Sequence, residues 1–203
     1  ILISALTACG SSMDYYHSPN FNSSLNRFQH PDGDPSNKKP SELFAMIREF
    51  SKRKYDQSAR NGFPVAFSEQ DELSTFSESV MWIGQSTILL NHKGLTILTD
   101  PQFSNRASPL FFGGPKRVTP TPFKIKDLPD IDLVLISHNH YDHLDRSSIR
   151  DLIKHQPSIQ FMVPLGLAPK LHKWGAVDVI ELDWWQAIKF EDVEIKQTPV
   201  QHW

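Results

Sequence analysis

The sequence predicts a mixed α/β (α+β) fold in which helices cover a sheet. Two observations favour this class: helical periodicity alternates along the chain with short apolar runs typical of strands, and a helical segment begins about ten residues after the most apolar of these runs. The 203 residues are 39% hydrophobic and 22% charged, so the chain has enough apolar material to bury a core. It therefore contains one ordinary domain or part of a larger one.

The first nine residues are apolar and small and end at Cys9, the single cysteine of the chain. A polar Gly-Ser-Ser stretch follows, and the Leu-Thr-Ala-Cys sequence resembles the acylation site of a bacterial lipoprotein. We interpret residues 1–9 as a partial lipoprotein signal peptide with lipid on Cys9. The protein would then be anchored in the bacterial cell envelope, facing the periplasm; the alternative is a frayed apolar terminus of a cytoplasmic protein.

Residues 10–77 are predicted to form an N-terminal linker and a helix. Residues 13–39 are rich in Ser, Asn, Pro and Asp, a composition typical of a tether or a draped arm. After Pro40, Ser41 is a suitable helix cap. The apolar residues that follow at helical spacing are Leu43, Met46, Ile47 and Phe50.

Strand patterns begin near residue 78. Residues 80–90 and 95–99 are predicted strands, joined by a turn over 91–94 in which Gly94 takes a positive φ angle. Residues 105–129 contain several prolines and predict a long irregular loop, which is usually functional in a compact domain.

The most apolar run, residues 131–137, predicts a central buried strand. A helix follows over 147–155, with Asp145 as its cap rather than as a metal ligand. The remaining predicted elements are strands at 159–163, 177–182, 187–190 and 193–196 and a helix at 167–174.

Charge and cysteine content exclude several classes of function. The chain has 21 basic and 23 acidic residues, a net charge of −2, and therefore lacks the positive field that gathers nucleic acid. A single cysteine excludes an internal disulfide framework and a site built from several thiolates. Metal ligands, if present, must come from the 9 histidines and the carboxylates.

The segment after the predicted central strand concentrates metal-binding residue types: His138, His140, Asp142 and His143. Residues two apart at a strand end point to the same side, so His138 and His140 are predicted to share one metal ion. Asp142 and His143, in the turn to the next helix, are predicted to face the other way and to begin a second site. Two metal ions about 3.5 to 4 Å apart suit the hydrolysis of phosphoryl or acyl groups.

Residues 134–145, which read VLISHNHYDHLD, resemble the signature of the metallo-β-lactamase superfamily. More narrowly, they resemble N-acylphosphatidylethanolamine-hydrolysing phospholipase D and its bacterial relatives. Residues 82–87, 98–109, 113–117 and 198–203 are similar to further segments of that family, so the resemblance covers roughly residues 78–203.

The resemblance implies an αββα sandwich built from two similar halves. From Glu78 the chain has only 126 residues, so we expect a truncated domain over 78–203, with only the N-terminal half of the sandwich present. The remaining ligands of the family, a bridging carboxylate and a last histidine, belong to the second half.

The resemblance also implies two Zn²⁺ ions per complete domain. His138, His140 and His202 would hold one ion, and Asp142 and His143 would begin the second site. Asp142 would also act in catalysis by helping to hold the nucleophile. Asp100 would support the metals, or would simply form an Asp-Pro turn. Lys116 and Arg117 would contact a phosphate or face solvent.

The implied function is that of a zinc-dependent hydrolase, a phosphodiesterase of phospholipase D type acting on N-acylphosphatidylethanolamine-like lipids. Its partners would be a phospholipid or other phosphodiester substrate and, through Cys9, a membrane. One alternative is another hydrolase of this fold, such as a lactonase, a thioesterase or a β-lactamase-like enzyme. A second alternative is a non-catalytic envelope lipoprotein.

Overall fold

The computed structural model describes residues 17–29, 78–108 and 114–199, together with residues 41, 42, 44, 45, 48 and 49. Its helices are α1 (Arg146–His155) and α2 (Ala168–Trp174), and a 3-10 turn spans Ile125–Asp127. Its strands are β1 (Phe21–Asn22), β2 (Arg27–Phe28), β3 (Ser79–Gly84), β4 (Thr87–His92), β5 (Leu95–Thr99), β6 (Leu133–Leu135), β7 (Gln160–Pro164), β8 (Asp178–Leu182), β9 (Ala187–Phe190) and β10 (Val193–Lys196).

A six-stranded sheet with the order β3-β4-β5-β6-β7-β8 organises the domain. The pairs β3–β4 and β4–β5 are antiparallel, whereas β5, β6, β7 and β8 are parallel. Helix α1 connects β6 to β7, and α2 connects β7 to β8. The predicted mixed α/β class is therefore confirmed, and the carboxyl ends of the four parallel strands lie along one edge of the sheet.

Most predicted elements occur within one residue of their expected bounds: α1, α2, β5, β7, β8, β9 and β10. The central strand β6 is shorter than the predicted 131–137. It does not extend to Ser137, because the backbone N–H of Ser137 donates to the Asp100 carboxylate rather than to a neighbouring strand.

The single strand predicted over 80–90 is wrong, since β3 and β4 form a hairpin there. Gly84 pairs with Thr87 across a two-residue turn in which Gln85 has a φ angle of 55°. The predicted turn between β4 and β5 is confirmed. Lys93 and Gly94 have φ angles of 51° and 79°, which is the pattern of a type I′ turn.

Helices cover one face of the sheet. The core on this side joins Leu98, Val134 and Phe161 of the strands to Ile149 and Leu152 of α1, all at most 1% exposed. The parallel strands are apolar on both faces, as expected where a sheet is covered on both sides.

The β9–β10 hairpin covers the opposite face of the sheet. Its Ile188, Phe190 and Ile195 pack against a second apolar cluster that includes Leu133 and Met162. The described residues thus provide a helical layer, a sheet and the beginning of a second β layer, as expected for one half of an αββα sandwich.

The segment predicted as a tether or draped arm contains a hairpin, β1–β2, in which Phe21 pairs with Phe28. Ser18 Oγ and Asn20 Nδ2 donate to the Asp183 carboxylate at 2.5 and 3.0 Å, so residues 17–29 are draped on the end of β8. The described residues between 41 and 49 are helical, as predicted. The predicted apolar face of that helix, at 43, 46, 47 and 50, lies outside the described residues, as does Cys9.

Within the part of the chain that the structure describes, no helix has both the length and the apolar character needed to cross a membrane.

Candidate metal centre at the carboxyl edge of the sheet

The histidine-rich segment leaves the sheet at the carboxyl end of β6, where ligands bind in open α/β sheets. His138 lies three residues beyond the strand. The chain then turns tightly, because the carbonyl oxygen of His140 accepts from the backbone N–H groups of His143 (3.0 Å) and Leu144 (2.7 Å). This turn brings the four predicted ligands together ahead of α1.

The three histidine rings lie close to one another. The ring centroid of His138 is 4.7 Å from that of His140 and 4.0 Å from that of His143. The prediction that His143 faces away from the His138–His140 pair is therefore wrong. It assumed an extended strand end, whereas the turn after His140 folds His143 back towards His138.

Asp100 holds this segment against the sheet. It follows β5, is 6% exposed, and its backbone N–H donates to Leu135 O at 2.8 Å. Its carboxylate accepts from Ser137 N and from Ser137 Oγ, both at 2.7 Å, and contacts His143 Nδ1 at 2.8 Å. The bare Asp-Pro turn, one of two predicted roles, is therefore insufficient: Asp100 supports the histidine segment directly.

The Asp100 contact fixes which nitrogen of His143 is available to bind a metal. A carboxylate only accepts hydrogen bonds, so Nδ1 must carry the hydrogen at 2.8 Å. The other nitrogen, Nε2, lies 3.5 Å from Asp142 Oδ2. A histidine whose Nδ1–H is held by a carboxylate is the usual arrangement around a protein-bound metal ion.

Gln85 is a site residue that the sequence reasoning missed. From the turn between β3 and β4, its Nε2 donates to Asp142 Oδ2 at 3.0 Å. Its left-handed φ angle directs the turn, and Trp82 Nε1 donates to Gln85 O at 2.8 Å. The sequence signal was its position in the 82–87 segment that resembles the family, but a contact 57 residues apart leaves no local pattern.

The donor set suits Zn²⁺ and other divalent transition metals, which bind imidazole and carboxylate ligands. Among the described residues, however, no group of three or more His, Cys, Asp or Glu side chains is arranged so that it could hold a metal ion. His202, the fifth predicted ligand, lies outside those residues. The structure thus brings the four described candidates close together, and their role as metal ligands stays a prediction.

Asp145 and Arg117 have structural roles. Asp145 caps α1, as predicted, by accepting from Ser147 N. Arg117 donates to the backbone and side-chain oxygens of Gln102 and to Ser104 O, and burial lowers the pKa of its guanidinium. It therefore clamps the loop after β5; the predicted phosphate contact remains a prediction for the exposed Lys116.

A cavity of about 690 Å³ opens beside the histidine segment. Ser137, His138 and His140 line one part of it, and the β1–β2 hairpin and Trp184 line another. Its volume falls within the range of about 300–1,000 Å³ that is usual for small-molecule sites.

Comparisons with known proteins show what the chain is similar to. Residues 96–203 match the family described as a beta-lactamase superfamily domain. An uncharacterised protein of Mycobacterium tuberculosis is 40% identical over 126 residues, 61% of this chain and 34% of that protein. N-acyl-phosphatidylethanolamine-hydrolyzing phospholipase D 1 of Caenorhabditis elegans is 38% identical over 134 residues, 60% of this chain and 36% of that protein.

Among solved structures, the diiron β-hydroxylase CmlA of Streptomyces venezuelae is 25% identical with a TM-score of 0.48, covering 80% of this chain and 30% of that chain. This chain spans about a third of the length of the two curated relatives.

Proposed function

We propose a specific activity for this chain, which belongs to the beta-lactamase superfamily. Members of this family are largely metal-dependent hydrolases. The whole protein is a zinc-dependent phosphodiesterase of the phospholipase D type. Its substrate is an N-acylphosphatidylethanolamine-like phospholipid.

One observation carries this proposal: the buried carboxylate of Asp100 holds His143 Nδ1, so that Nε2 faces Asp142 in a cluster with His138 and His140. A surface histidine has no need for a buried carboxylate behind it, whereas a metal ligand does. The choice of a phosphodiester rests on the similarity to the Caenorhabditis elegans phospholipase D.

His138, His140 and His202 would hold one Zn²⁺, and Asp142 and His143 would begin the second site. Two such ions supply an acidified water and stabilise the charge that develops on a phosphoryl group. The chain's own residues position these ligands. Gln85 Nε2 donates to Asp142 Oδ2 and so orients this carboxylate, which would help to hold the attacking water.

The same proposal places the protein in the cell envelope, anchored by a lipid on Cys9. The cavity would then lie close to the membrane that contains the substrate, so the lipid would not have to cross water to reach it. Support for this anchor comes from the sequence around Cys9 alone.

The test uses the protein produced from the complete gene that encodes this chain. We expect two zinc ions per molecule by elemental analysis and release of phosphatidic acid from N-acylphosphatidylethanolamine. His138→Ala and His140→Ala should lose metal and lower kcat/KM by more than about 100-fold, because ligand loss exceeds the cost of losing a supporting contact. His172→Ala is the control, since this exposed histidine lies on α2, contacts Ala176 O and does not line the cavity beside the histidine segment.

Three results would contradict the proposal. Turnover of lactones or thioesters without phosphodiester cleavage would indicate another hydrolase of the family. Iron or manganese in place of zinc would overturn the metal assignment. Fewer than one metal ion per molecule, together with unchanged His138→Ala protein, would indicate a non-catalytic lipoprotein.

A further inference from the structure

The cavity beside the histidines has a second wall that comes from a distant part of the sequence. His138 and His140 line one part, whereas Phe21 and Phe28 of the β1–β2 hairpin line another. More than 100 residues separate these segments, so only the docking of the hairpin onto the domain brings them into one cavity.

Specific hydrogen bonds hold the hairpin in this place. Asp183 follows β8, is 9% exposed, and its carboxylate accepts from Ser18 Oγ, Asn20 Nδ2 and the backbone N–H of Trp184. One buried carboxylate therefore fixes the hairpin and the neighbouring Trp184 together. These three hydrogen bonds hold the hairpin and Trp184 firmly, because burying a carboxylate without donors costs free energy.

The hairpin and Trp184 form a continuous aromatic surface. The Phe21 and Phe28 ring centroids are 5.2 Å apart at an interplanar angle of 70°, and the Phe28 and Trp184 centroids are 6.5 Å apart. All three side chains are half-buried, and Leu165 and Leu167 line the same cavity from the loop after β7. These side chains offer an apolar contact surface within a lining that also includes the polar Asn26, Arg27 and Asp183.

We propose that the β1–β2 hairpin is the part of the active site that selects an apolar chain on the substrate. The chain lies against Phe21, Phe28 and Trp184, while the group to be hydrolysed lies at His138 and His140. This inference rests on the proposed function and deepens it, because it assigns substrate selectivity to residues outside the histidine motif.

The experiment compares substrates that differ only in apolar length, using the protein from the complete gene. For Phe28→Ala we expect kcat/KM to fall about tenfold on a long-chain phosphodiester and to change less than twofold on a methyl analogue, because only the long chain loses buried contact area. Phe28→Leu should recover most of the activity. Leu25→Ala is the matched control: Leu25 lies in the turn of the same hairpin, is 50% exposed and does not line the cavity.

A binding measurement separates this inference from the proposed function. Calorimetry with a long-chain alkylphosphonate and with methylphosphonate needs no turnover. We expect Phe28→Ala to weaken only the long-chain ligand, about tenfold, even if the wild-type protein hydrolyses some other bond. If Phe28→Ala does not fold, Phe21→Ala provides the same comparison. Equal losses for both ligands, or unchanged long-chain binding in both variants, would overturn the inference while leaving the metal chemistry untouched.

Discussion

Asp100 is a buried carboxylate whose three side-chain contacts all reach the segment that carries the histidines. Two of them go to Ser137 and one to His143. Because Asp100 follows β5 and the histidines follow β6, these contacts join two neighbouring strand ends into one rigid edge. The position of the His143 imidazole thus depends on a residue that is not itself a predicted ligand.

Replacing Asp100 tests this dependence. In Asp100→Asn, the carboxylate that holds His143 Nδ1–H becomes an amide, so the ring loses its charged acceptor and its fixed tautomer. We expect the affinity of the complete protein for zinc to fall about 10- to 100-fold, the usual cost of losing a supporting carboxylate. Competition with a chromogenic chelator measures this affinity.

Asp192→Asn is the control for this prediction, since the Asp192 side chain is 85% exposed on the turn between β9 and β10. An Asp100→Asn protein that retained wild-type affinity for zinc would show that Asp100 only shapes the loop.

At the residue scale, the sequence predicted which candidate ligands lie close together better than it predicted the residues around them. Four of the five predicted ligands, at 138, 140, 142 and 143, lie in one cluster because they are close in the chain and a turn gathers them. Gln85 and the aromatic residues of the β1–β2 hairpin reach the site through tertiary contacts. No spacing rule relates residues separated by 57 positions or more.

At the scale of the element, α1 shows how a helix start is coupled to the site. Asp145 is 7% exposed; its carboxylate accepts from Ser147 N (3.2 Å) and Ser148 Oγ (2.6 Å) and also from Ser104 N (3.2 Å) in the loop after β5. The cap therefore ties α1 to that loop as well as satisfying the helix end.

Removing this cap should destabilise the domain measurably. For Asp145→Ala we expect a loss of about 2 kcal/mol in the free energy of unfolding, since the helix loses its cap and two further donors lose their acceptor. Chemical denaturation followed by circular dichroism measures the change. Asp151→Ala, at a half-exposed position of the same helix, should change it by less than about 0.5 kcal/mol. Equal effects of the two substitutions would refute the role assigned to Asp145.

The elements that the sequence misassigned share a physical cause. Residues 80–90 are apolar on both sides of Gly84, so the strand periodicity continues through the turn. Gln85 has a left-handed φ angle there, which is uncommon for a non-glycine residue and is not predicted from its type. Strands β1 and β2 have two residues each, too few for any period. By contrast, β7, β8, α1 and α2 were predicted closely, because buried parallel strands and their connecting helices carry strong apolar patterns.

At the scale of the whole molecule, the sheet separates two environments. Helices pack on one face, the β9–β10 hairpin packs on the other, and the candidate site lies at the edge where the parallel strands end. The net charge of −2 offers no general attraction to an anionic lipid surface. If the substrate is a membrane phospholipid, we therefore expect a membrane anchor to bring the site to the bilayer.

The proposed anchor is a lipid on Cys9, and its presence can be tested directly. An acyl chain contributes about 0.8 kcal/mol for each CH₂ group that enters the bilayer, so an acylated protein should partition into the detergent phase and incorporate a labelled fatty acid. Cys9→Ser should remain in the aqueous phase without label, because a serine hydroxyl does not replace the thiol in this modification. Ser11→Ala should behave as wild type. Since Cys9 is not one of the residues to which a role in the candidate site is assigned, we expect Cys9→Ser to retain its kcat/KM on detergent-dispersed substrate and to lose activity only on intact vesicles. Label or detergent partition that persists in Cys9→Ser would refute the anchor, and the phosphodiesterase proposal would then need another route to the membrane.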